Sequence, residues 1–513
     1  MSLMLVATFS LLPSAVAAPA DEVRRCLDVY DIECAREAAA SLGKDEEARA
    51  ARAELQFALG EFAEAHKNLE SSSARFASTE GFSERLALYE RSALATADFV
   101  TETRGDVTLR YRPGFDVVLT DEAFETLQAA HDRIGPVLGG APPGGVRMEL
   151  YPTAQRFIDA SSLPGTAVRT TGVVALSKWT RLLVSSPRAL GRGYGWKDTI
   201  AHEYIHYIVA WRTEDRAPVW LQEGIARSHE VLWRVSEPAP LAPTQASLLA
   251  DALKNETLLP LAKMHPSMAF LSSPEEASLA YAQVSTMIVY LRKKEGPTAV
   301  SRVLDLVRTG RDALQAVADV GANGDTAAFL AGWRTYLSEL KLVSRKLAEA
   351  RVVLDGAGDE FAADPVLGKR ADLARWARLG DILLDAGRAE AALVEYRKAS
   401  PAGEPPSPQL ASRAASALLE LGRKDEARLA LSESVRDYPE FAVTRRLLGG
   451  LLREAGDLGG AFAQYRGAVD VDPFDVEAQS ALAELYDARG QASLAERHRR
   501  YARLLKSQEP APR

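Results

Sequence analysis

The sequence has 513 residues, of which 47% are hydrophobic and 26% are charged, so it is an ordinary globular chain with room for about three domains. Its 62 Lys and Arg against 70 Asp and Glu give a net charge of −8, which disfavours nucleic acid or an anionic membrane surface as a partner. The 2 Cys exclude a disulfide scaffold and a Cys-rich zinc module.

Residues 1–18, MSLMLVATFSLLPSAVAA, resemble a secretory signal peptide. Residues 3–12 are a short apolar stretch, and Ala15, Ala17 and Ala18 supply the small residues of a cleavage site. No Lys or Arg precedes the apolar stretch, so the alternative is an apolar first helix of a soluble domain. No later run reaches the ~18 apolar residues needed to span a bilayer. The sequence therefore predicts an exported protein, periplasmic or extracellular, without a transmembrane segment.

Residues 19–99 are predicted to be helical, with one or two degenerate repeats of helix, Gly turn and helix. Gly43 and Gly60 follow helical runs, as in ELQFALGEFAEAHKNLESS. Cys26 and Cys34 lie in a predicted helical hairpin, and export would permit a disulfide between them. Whether they are bridged stays open on the sequence alone.

Residues 100–345 change in character, because strand-like segments come first and helices follow, which predicts an α+β domain. The predicted strands are residues 107–111, 146–150, 171–175 and 179–185. A helix between the first two strands is predicted to begin at Thr120, with Asp121 and Glu122 in its first turn.

Residues 198–211, DTIAHEYIHYIVAW, place His202 and His206 one helical turn apart on one face. Two imidazoles at this spacing can ligate Zn²⁺, and Glu203 on the flank of that face can reach a metal-bound water without ligating the metal. This is the HExxH pattern, whose commonest meaning is a metalloprotease. The alternative is an amphipathic helix with two ordinary His. Asp198 is either a partner of the first His or the helix cap.

A third ligand is expected, because a catalytic zinc site generally has three protein ligands and one open position. Glu223 is the first candidate, since it follows His206 by 17 residues on a second predicted helix that begins near Pro218. Glu230 and His229 are alternatives on the same helix, but they lie one and a half to two turns further along it.

Residues 346–507 are predicted to form an array of helical repeats, with a clear period from about residue 371. The turn glycines, spaced by 35, 34 and 34 residues, are Gly387, Gly422, Gly456 and Gly490. The small residues expected between the paired helices are Ala391, Ala427 and Ala461. This period is that of the tetratricopeptide repeat, which the array resembles closely. Residues 508–513 are predicted to be a disordered tail.

HExxH followed by W-L-x-E-G-x-A resembles the gluzincin superfamily, specifically the peptidase MA-like domains often joined to tetratricopeptide repeats. The similarity extends over about residues 100–345. It implies that His202, His206 and Glu223 bind one Zn²⁺ per chain. It also implies that Glu203 is the general base, which takes a proton from the zinc-bound water and returns it to the leaving amine.

Two further features of the site are implied by the same resemblance. Tyr281, in AYAQVS, is the candidate donor to the oxyanion, because gluzincins commonly use a Tyr or His from a downstream helix; a core aromatic is the alternative. The strand at residues 179–185 would be the edge on which an extended peptide adds as a further strand.

The resulting hypothesis is an exported zinc-dependent metallopeptidase whose repeats bind or position a protein partner or substrate. A different class of function is the alternative, namely a catalytically weak or silent repeat adaptor that keeps a zincin-like fold. A structural zinc site is disfavoured, because Glu203 would then have no purpose and a closed site usually carries Cys.

Overall fold

The computed structural model describes residues 19–264, 268, 271–349, 353–354 and 361–508. The predicted signal peptide, and all of the predicted tail except Gln508, lie outside the described residues. The described chain is mostly helical and contains one five-stranded mixed sheet. Among the described residues, no helix has the length and apolar character needed to cross a membrane.

The region before the sheet is helical, as predicted. Its helices are α1 (Pro19–Asp28), α2 (Ile32–Ala40), α3 (Glu46–Leu59), α4 (Phe62–Glu70), α5 (Ser73–Phe76) and α6 (Phe82–Ala95). Gly60 ends α3 with a φ of 82°, a left-handed conformation that favours glycine. Cys26 and Cys34 form a disulfide between α1 and α2, with their Cα atoms 5.6 Å apart. The pairing that the sequence left open is therefore present.

The sheet contains β1 (Val100–Arg104), β2 (Val107–Tyr111), β3 (Val146–Tyr151), β4 (Ala175–Lys178) and β5 (Arg181–Ser185), in the order β1-β2-β3-β5-β4. The edge strands β1 and β4 are antiparallel to their neighbours, whereas β2, β3 and β5 are parallel. The prediction that residues 179–185 form an edge is therefore wrong. These residues contain the internal strand β5, and β4 is the edge on this side.

The strand predicted at residues 171–175 is also wrong. Helix α9 (Gly165–Thr171) ends where that strand was expected to begin, Gly172 closes the helix with a φ of 68°, and β4 starts only at Ala175. Periodicity misses this boundary because a short helix followed directly by a buried strand leaves one continuous apolar run.

The turn between β4 and β5 is held by the preceding helices. Trp179 and Thr180 have φ values of 52° and 63°, which fits a tight hairpin turn but is unusual for residues other than Gly or Asn. The Trp179 ring lies edge-on to Phe57 of α3 at 5.0 Å, and the Thr180 hydroxyl donates to the Ala58 carbonyl at 3.3 Å. One end of the sheet therefore depends on the N-terminal helices.

The remaining helices of this region are α7 (Val117–Val137), α8 (Ala154–Ala160), α10 (Trp196–Thr213), α11 (Val219–His229), α12 (Pro243–Lys254), α13 (Pro274–Glu295), α14 (Ala299–Arg308), α15 (Ala313–Ala322) and α16 (Thr326–Glu339). The helix predicted from Thr120 is α7, which begins one turn earlier at Val117. Thr120 is therefore not a cap, and its hydroxyl donates to the Val117 carbonyl inside the helix at 3.0 Å. One hydrophobic core joins the sheet to α7, α10, α11, α13 and α14.

The repeats form four helical hairpins. Their helices are α17 (Ala371–Asp385), α18 (Ala389–Ala399), α19 (Pro408–Glu420), α20 (Lys424–Asp437), α21 (Ala442–Glu454), α22 (Leu458–Val471), α23 (Val476–Ala488) and α24 (Ala492–Gln508). The four turn glycines have φ values of 70°, 72°, 82° and 71°. The described residues between 341 and 370 contain no α-helix, so the repeating hairpins begin later than the predicted residue 346.

The small residue that lets the first hairpin close is one position later than predicted. Ala391 is only half-buried, whereas Ala392 is 0% exposed. Ala392 also keeps the register of the array, because it follows its turn glycine by the same number of residues as Ala427 and Ala461, which are both 0% exposed. A buried Ala at this place allows the paired helices to approach closely.

Candidate metal centre

Helix α10 presents the two His of HExxH to the interior. The helix begins after Gly195 and contacts β4, β5, α7 and α11, so nearly every position along it is buried. His202 and His206 are 5% and 1% exposed, and their Nε2 atoms lie 3.1 Å apart. The spacing of one helical turn thus directs both imidazoles to one point, as the sequence predicts.

Helix α11 brings Glu223 to the same point. Its Oε2 lies 3.4 Å from His202 Nε2 and 3.8 Å from His206 Nε2. Donors bound at about 2.0–2.1 Å to a tetrahedral Zn²⁺ are separated by about 3.3 Å, close to these three distances. Both carboxylate oxygens of Glu223 are buried without a hydrogen-bond partner among the described residues. Two nitrogens and one unpartnered carboxylate are a donor set that fits zinc.

The electrostatics at this point favour a cation. Burial alone would lower the pKa of His202, but the carboxylates of Glu223 and Glu230 outweigh it and raise the pKa to about 9. Burial would raise the pKa of Glu223, yet His206, His202 and Arg227 hold it below the usual value. Charges that favour a proton on His202 also favour a metal ion beside it.

Glu230 supports the site from behind His202. Its Oε2 accepts a hydrogen bond from His202 Nδ1 at 2.8 Å, and Arg227 donates to its Oε1 at 2.9 Å. Because Glu230 holds the Nδ1 proton, Nε2 is the nitrogen that would give up its proton and offer a lone pair to a metal ion. Glu230, predicted as an alternative ligand, therefore lies outside the donor group. Its position seven residues after Glu223, on one face of α11, is the sequence signal for this role.

His229, the other alternative ligand, is turned away from the donor group. Its Nδ1 donates to the Ile225 carbonyl at 2.9 Å, and its Nε2 accepts from Arg292 at 2.6 Å. Burial and the Arg292 charge together lower the pKa of His229 to about 3, so this imidazole is neutral.

Gln222 lies beside the second His. The Gln222 Oε1 and His206 Nδ1 atoms are both buried, and neither has a hydrogen bond of regular geometry among the described residues. The Gln222 side chain is nevertheless close enough to His206 to raise its pKa, against the larger lowering caused by burial. Gln222 is thus close to His206, but it does not make the kind of hydrogen bond that Glu230 makes to His202. The sequence analysis did not identify Gln222.

Glu203 faces two tyrosines. Glu203 is 1% exposed, and its charge adds to burial in raising the pKa of both Tyr194 and Tyr281. Tyr281, on α13, also has its pKa raised by Glu223, so its hydroxyl keeps its proton at neutral pH. Tyr281 is therefore within electrostatic range of Glu223 and Glu203, and its role as the oxyanion donor stays a prediction. Tyr194, in the loop before α10, was not predicted.

Asp198 neither orients a His nor caps α10. Its Oδ1 accepts hydrogen bonds from the Trp233 indole and from Arg234, both at 2.9 Å. These partners come from the loop after α11, and periodicity gives no information about contacts of this kind. Both roles considered for Asp198 are therefore wrong.

Gly224 allows α11 and α13 to approach. A Cβ at Gly224 would lie 2.8 Å from the Val284 carbonyl oxygen and 3.1 Å from Ile288 of α13. Gly224 directly follows Glu223, and Val284 follows Tyr281 by three residues, so this close contact lies beside both side chains. The Gly of W-L-x-E-G is thus a packing requirement of the site.

The model of the Peptidase MA superfamily matches residues 128–339, which contain the whole donor group, Glu203 and Tyr281. No curated protein matches the chain.

Among solved structures, the crystal structure of MamA is 19% identical, with a TM-score of 0.25, and covers 28% of this chain and 84% of that chain. MamA 41-end from Desulfovibrio magneticus RS-1 is 20% identical, with a TM-score of 0.23, and the match covers 28% of this chain and 80% of that chain. YrrB, a TPR protein with an unusual peptide-binding site, is 17% identical, with a TM-score of 0.23, and the match covers 28% of this chain and 83% of that chain. Overlap this small does not bear on function. Residues 128–339 of the chain are similar to the Peptidase MA superfamily, and tetratricopeptide-like helical repeats follow them.

Proposed function

We propose that the chain is an exported zinc-dependent metallopeptidase with a zincin-like catalytic domain. The observation that carries this proposal is the convergence of His202, His206 and Glu223 at separations that suit one tetrahedral metal ion. The superfamily match supports peptidase-type hydrolysis as the reaction class. The Cys26–Cys34 disulfide supports an oxidising compartment and hence export.

The positions of the side chains support the following catalytic roles. When bound, Zn²⁺ would supply a Lewis acid and lower the pKa of a water at its open position. Glu203 would accept a proton from the attacking water and pass it to the leaving amine. Tyr281, whose raised pKa keeps the hydroxyl protonated, would donate a hydrogen bond to the carbonyl oxygen as negative charge develops there.

The repeats would bind or position a protein partner or a protein substrate. Their helical hairpins are stacked, with α18 against α19, α20 against α21 and α22 against α23. Stacked hairpins of this kind make an extended surface. The class of partner is a peptide or protein, because the net charge of −8 does not suit nucleic acid.

Substitution of Glu203 tests the enzyme proposal. We expect Glu203→Gln to retain about one zinc per chain and to lose peptide cleavage by a factor of about 10²–10⁴, because the general base is removed while the ligands stay. The measurement is metal quantification and cleavage of a degenerate peptide library, beside wild type. His202→Ala should instead lose the metal. Equal trace activity in wild type and Glu203→Gln would contradict the enzyme proposal.

The second candidate function is a silent repeat adaptor, and the burial of the site favours it. His202, Glu203, His206 and Glu223 are at most 5% exposed, and Tyr281 is 6% exposed. A peptide reaches such a site only if part of the surroundings moves. The adaptor would bind zinc but cleave no member of the library, and Tyr281→Phe would change nothing. In the peptidase, Tyr281→Phe should lower kcat by about 10²–10³ with the metal content unchanged.

A further inference from the structure

The first turn of α10, which we call the metal helix because it carries His202 and His206, is attached to the repeats by an ion pair with a buried cation. Lys197 precedes His202 by five residues on α10 and is 4% exposed. Its Nζ lies 2.8 Å from Glu122 Oε2 of α7 and 2.5 Å from Asp470 Oδ1 of α22. Lys197 of the metal helix thus forms an ion pair with a carboxylate of the repeats.

Arg466, also on α22, completes this group of charges. Its Nη1 lies 2.9 Å from Glu122 Oε1, and its Nε lies 3.3 Å from Asp470 Oδ1. The two cations and the two carboxylates therefore alternate around this group, and their charges balance. We call Glu122, Lys197, Arg466 and Asp470 the junction cluster. Removal of one member leaves a buried charge incompletely paired, which is unfavourable in a poorly solvated environment.

The place of Lys197 makes its partners necessary. The first turn of a helix carries the positive end of the helix dipole, so a cation there is unfavourable unless carboxylates offset it. Glu122 is 5% exposed and supplies one carboxylate from α7. The second carboxylate is Asp470, which belongs to the repeats.

The loop before α10 also contacts α22. The Tyr194 backbone N–H donates to the Val471 carbonyl at 3.0 Å. Gly193 has a φ of 69°, and a Cβ there would lie 2.2 Å from the same carbonyl oxygen. The backbone contact is thus a second link between α22 and the start of α10.

The last hairpin is part of the core around the metal helix. Tyr501 and Leu505 of α24 belong to the same buried hydrophobic cluster as Ile205 and Ile208 of α10. The Tyr501 hydroxyl donates to Asp121 of α7 at 2.8 Å. The buried apolar residues of α17–α20 belong instead to a separate cluster, which includes Leu448 and Leu451 of α21, and most of those of α22 and α23 form a third cluster.

We propose that α22 and α24, one helix from each of the last two hairpins, position the metal helix, with the junction cluster as its positioning residues. The repeats near the metal centre are then not a detachable arm. This inference rests on the proposed function only in taking His202 and His206 of that helix as zinc ligands.

The test compares junction variants with matched repeat variants in the full chain. Asp470→Asn and Arg466→Gln change the junction cluster. Glu454→Gln and Arg453→Gln are the controls, because they break exposed ion pairs between neighbouring repeats, with Lys424 and Glu484, respectively. The readouts are the Kd for Zn²⁺, from chelator competition, and amide hydrogen exchange of residues 196–213 in the metal-free protein.

We expect Asp470→Asn and Arg466→Gln to weaken Zn²⁺ binding about tenfold and to speed exchange in the first turns of α10 by a similar factor, while the controls change neither. Asp470→Glu, which keeps the charge, should recover most of the loss. Equal values for junction and control variants, or no change in either readout, would overturn the inference. If wild type cleaves no peptide, the proposed enzyme function fails, and hydrogen exchange still decides the positioning role.

Discussion

At the scale of single residues, Glu230 is the clearest case of a side chain that acts through another one. The hydrogen bond from His202 Nδ1 fixes both the ring orientation and the tautomer, and Arg227 holds the carboxylate in place. A ligand whose second nitrogen is paired with a carboxylate is a stronger donor than a free imidazole. Glu230 therefore belongs to the metal centre although it lies outside the group of three donors.

Neutralising Glu230 should weaken the metal centre. We expect Glu230→Gln to raise the Kd for Zn²⁺ by about 10–100-fold, because the partner of His202 loses its charge. The measurement is chelator competition at neutral pH. Glu237→Gln, an exposed position in the following loop, is the control and should bind as wild type does. An unchanged Kd in Glu230→Gln would show that His202 needs no charged partner.

At the scale of elements, the contact between α11 and α13 lies beside both Glu223, the proposed third ligand, and Tyr281. Gly224 makes this contact possible because there is no room for a side chain between it and the Val284 carbonyl oxygen. The two helices are therefore as close as their backbones allow, and their separation controls the distance from Tyr281 to the donor group.

A methyl group at Gly224 should push α11 and α13 apart. We expect Gly224→Ala to lower the free energy of unfolding by about 1–3 kcal/mol, because the added Cβ meets backbone rather than a flexible side chain. Gly450→Ala, inside α21, is the control, since the nearest atom is an ordinary 3.6 Å from the new Cβ. The control should gain up to about 1 kcal/mol from helix propensity. Urea denaturation of both variants measures the two changes in the free energy of unfolding, which should have opposite signs.

The elements that the sequence predicts well are those with a strict period. Spacing alone places His202 and His206 on one face, and the four turn glycines reveal the repeats. The errors occur where local pattern and tertiary contact diverge. The β4–β5 turn has no Gly or Asn because packing on Phe57 and Ala58 holds its backbone. Partners of Asp198 and His206 come from loops or neighbouring helices, which periodicity does not locate.

At the scale of the whole molecule, the two ends of the described chain contact the middle region. The N-terminal helices hold the β4–β5 turn, and the last hairpin shares a core with α10. A bound ion would add a further link among α10 and α11. The stability of the molecule should therefore depend on the metal as well as on the repeats.

Metal removal should lower the melting temperature. A ligand that binds only the folded state at 100 times its Kd stabilises that state by about 2.7 kcal/mol. We expect a chelator to remove this stabilisation in wild type and to have no effect on His206→Ala, which lacks one donor. Thermal unfolding followed by circular dichroism, with and without added Zn²⁺, measures the difference. A melting temperature independent of Zn²⁺ in wild type would contradict a tightly bound ion.

The buried His498 predicts loss of stability in acid. Burial and the nearby Arg466 and Arg497 lower its pKa to about 4, although Glu122 opposes them, whereas the unfolded chain has the ordinary value near 6.5. Between these values the unfolded state binds more protons, so this contribution to stability is complete above pH 6.5 and declines as the pH falls towards 4.

Comparison with His498→Gln separates the contribution of His498 to stability from the contribution of the carboxylates. Between pH 7.5 and pH 5, wild type should lose about 2 kcal/mol more of its free energy of unfolding than the variant does, since 1.5 pH units separate pH 5 from the unfolded pKa. Urea denaturation at the two pH values measures this difference. Parallel losses in both proteins would mean that His498 does not stay neutral in the fold.

Tyr501 and Leu505 also bear on how the polypeptide is made. They complete the hydrophobic core around the metal helix, yet they follow His202 by almost 300 residues. A ribosome therefore has to synthesise all of the repeats before this core can close. A nascent chain would carry its His pair on an incompletely packed helix, and hydrolysis by a peptidase of this design would begin only after translation has passed the final hairpin.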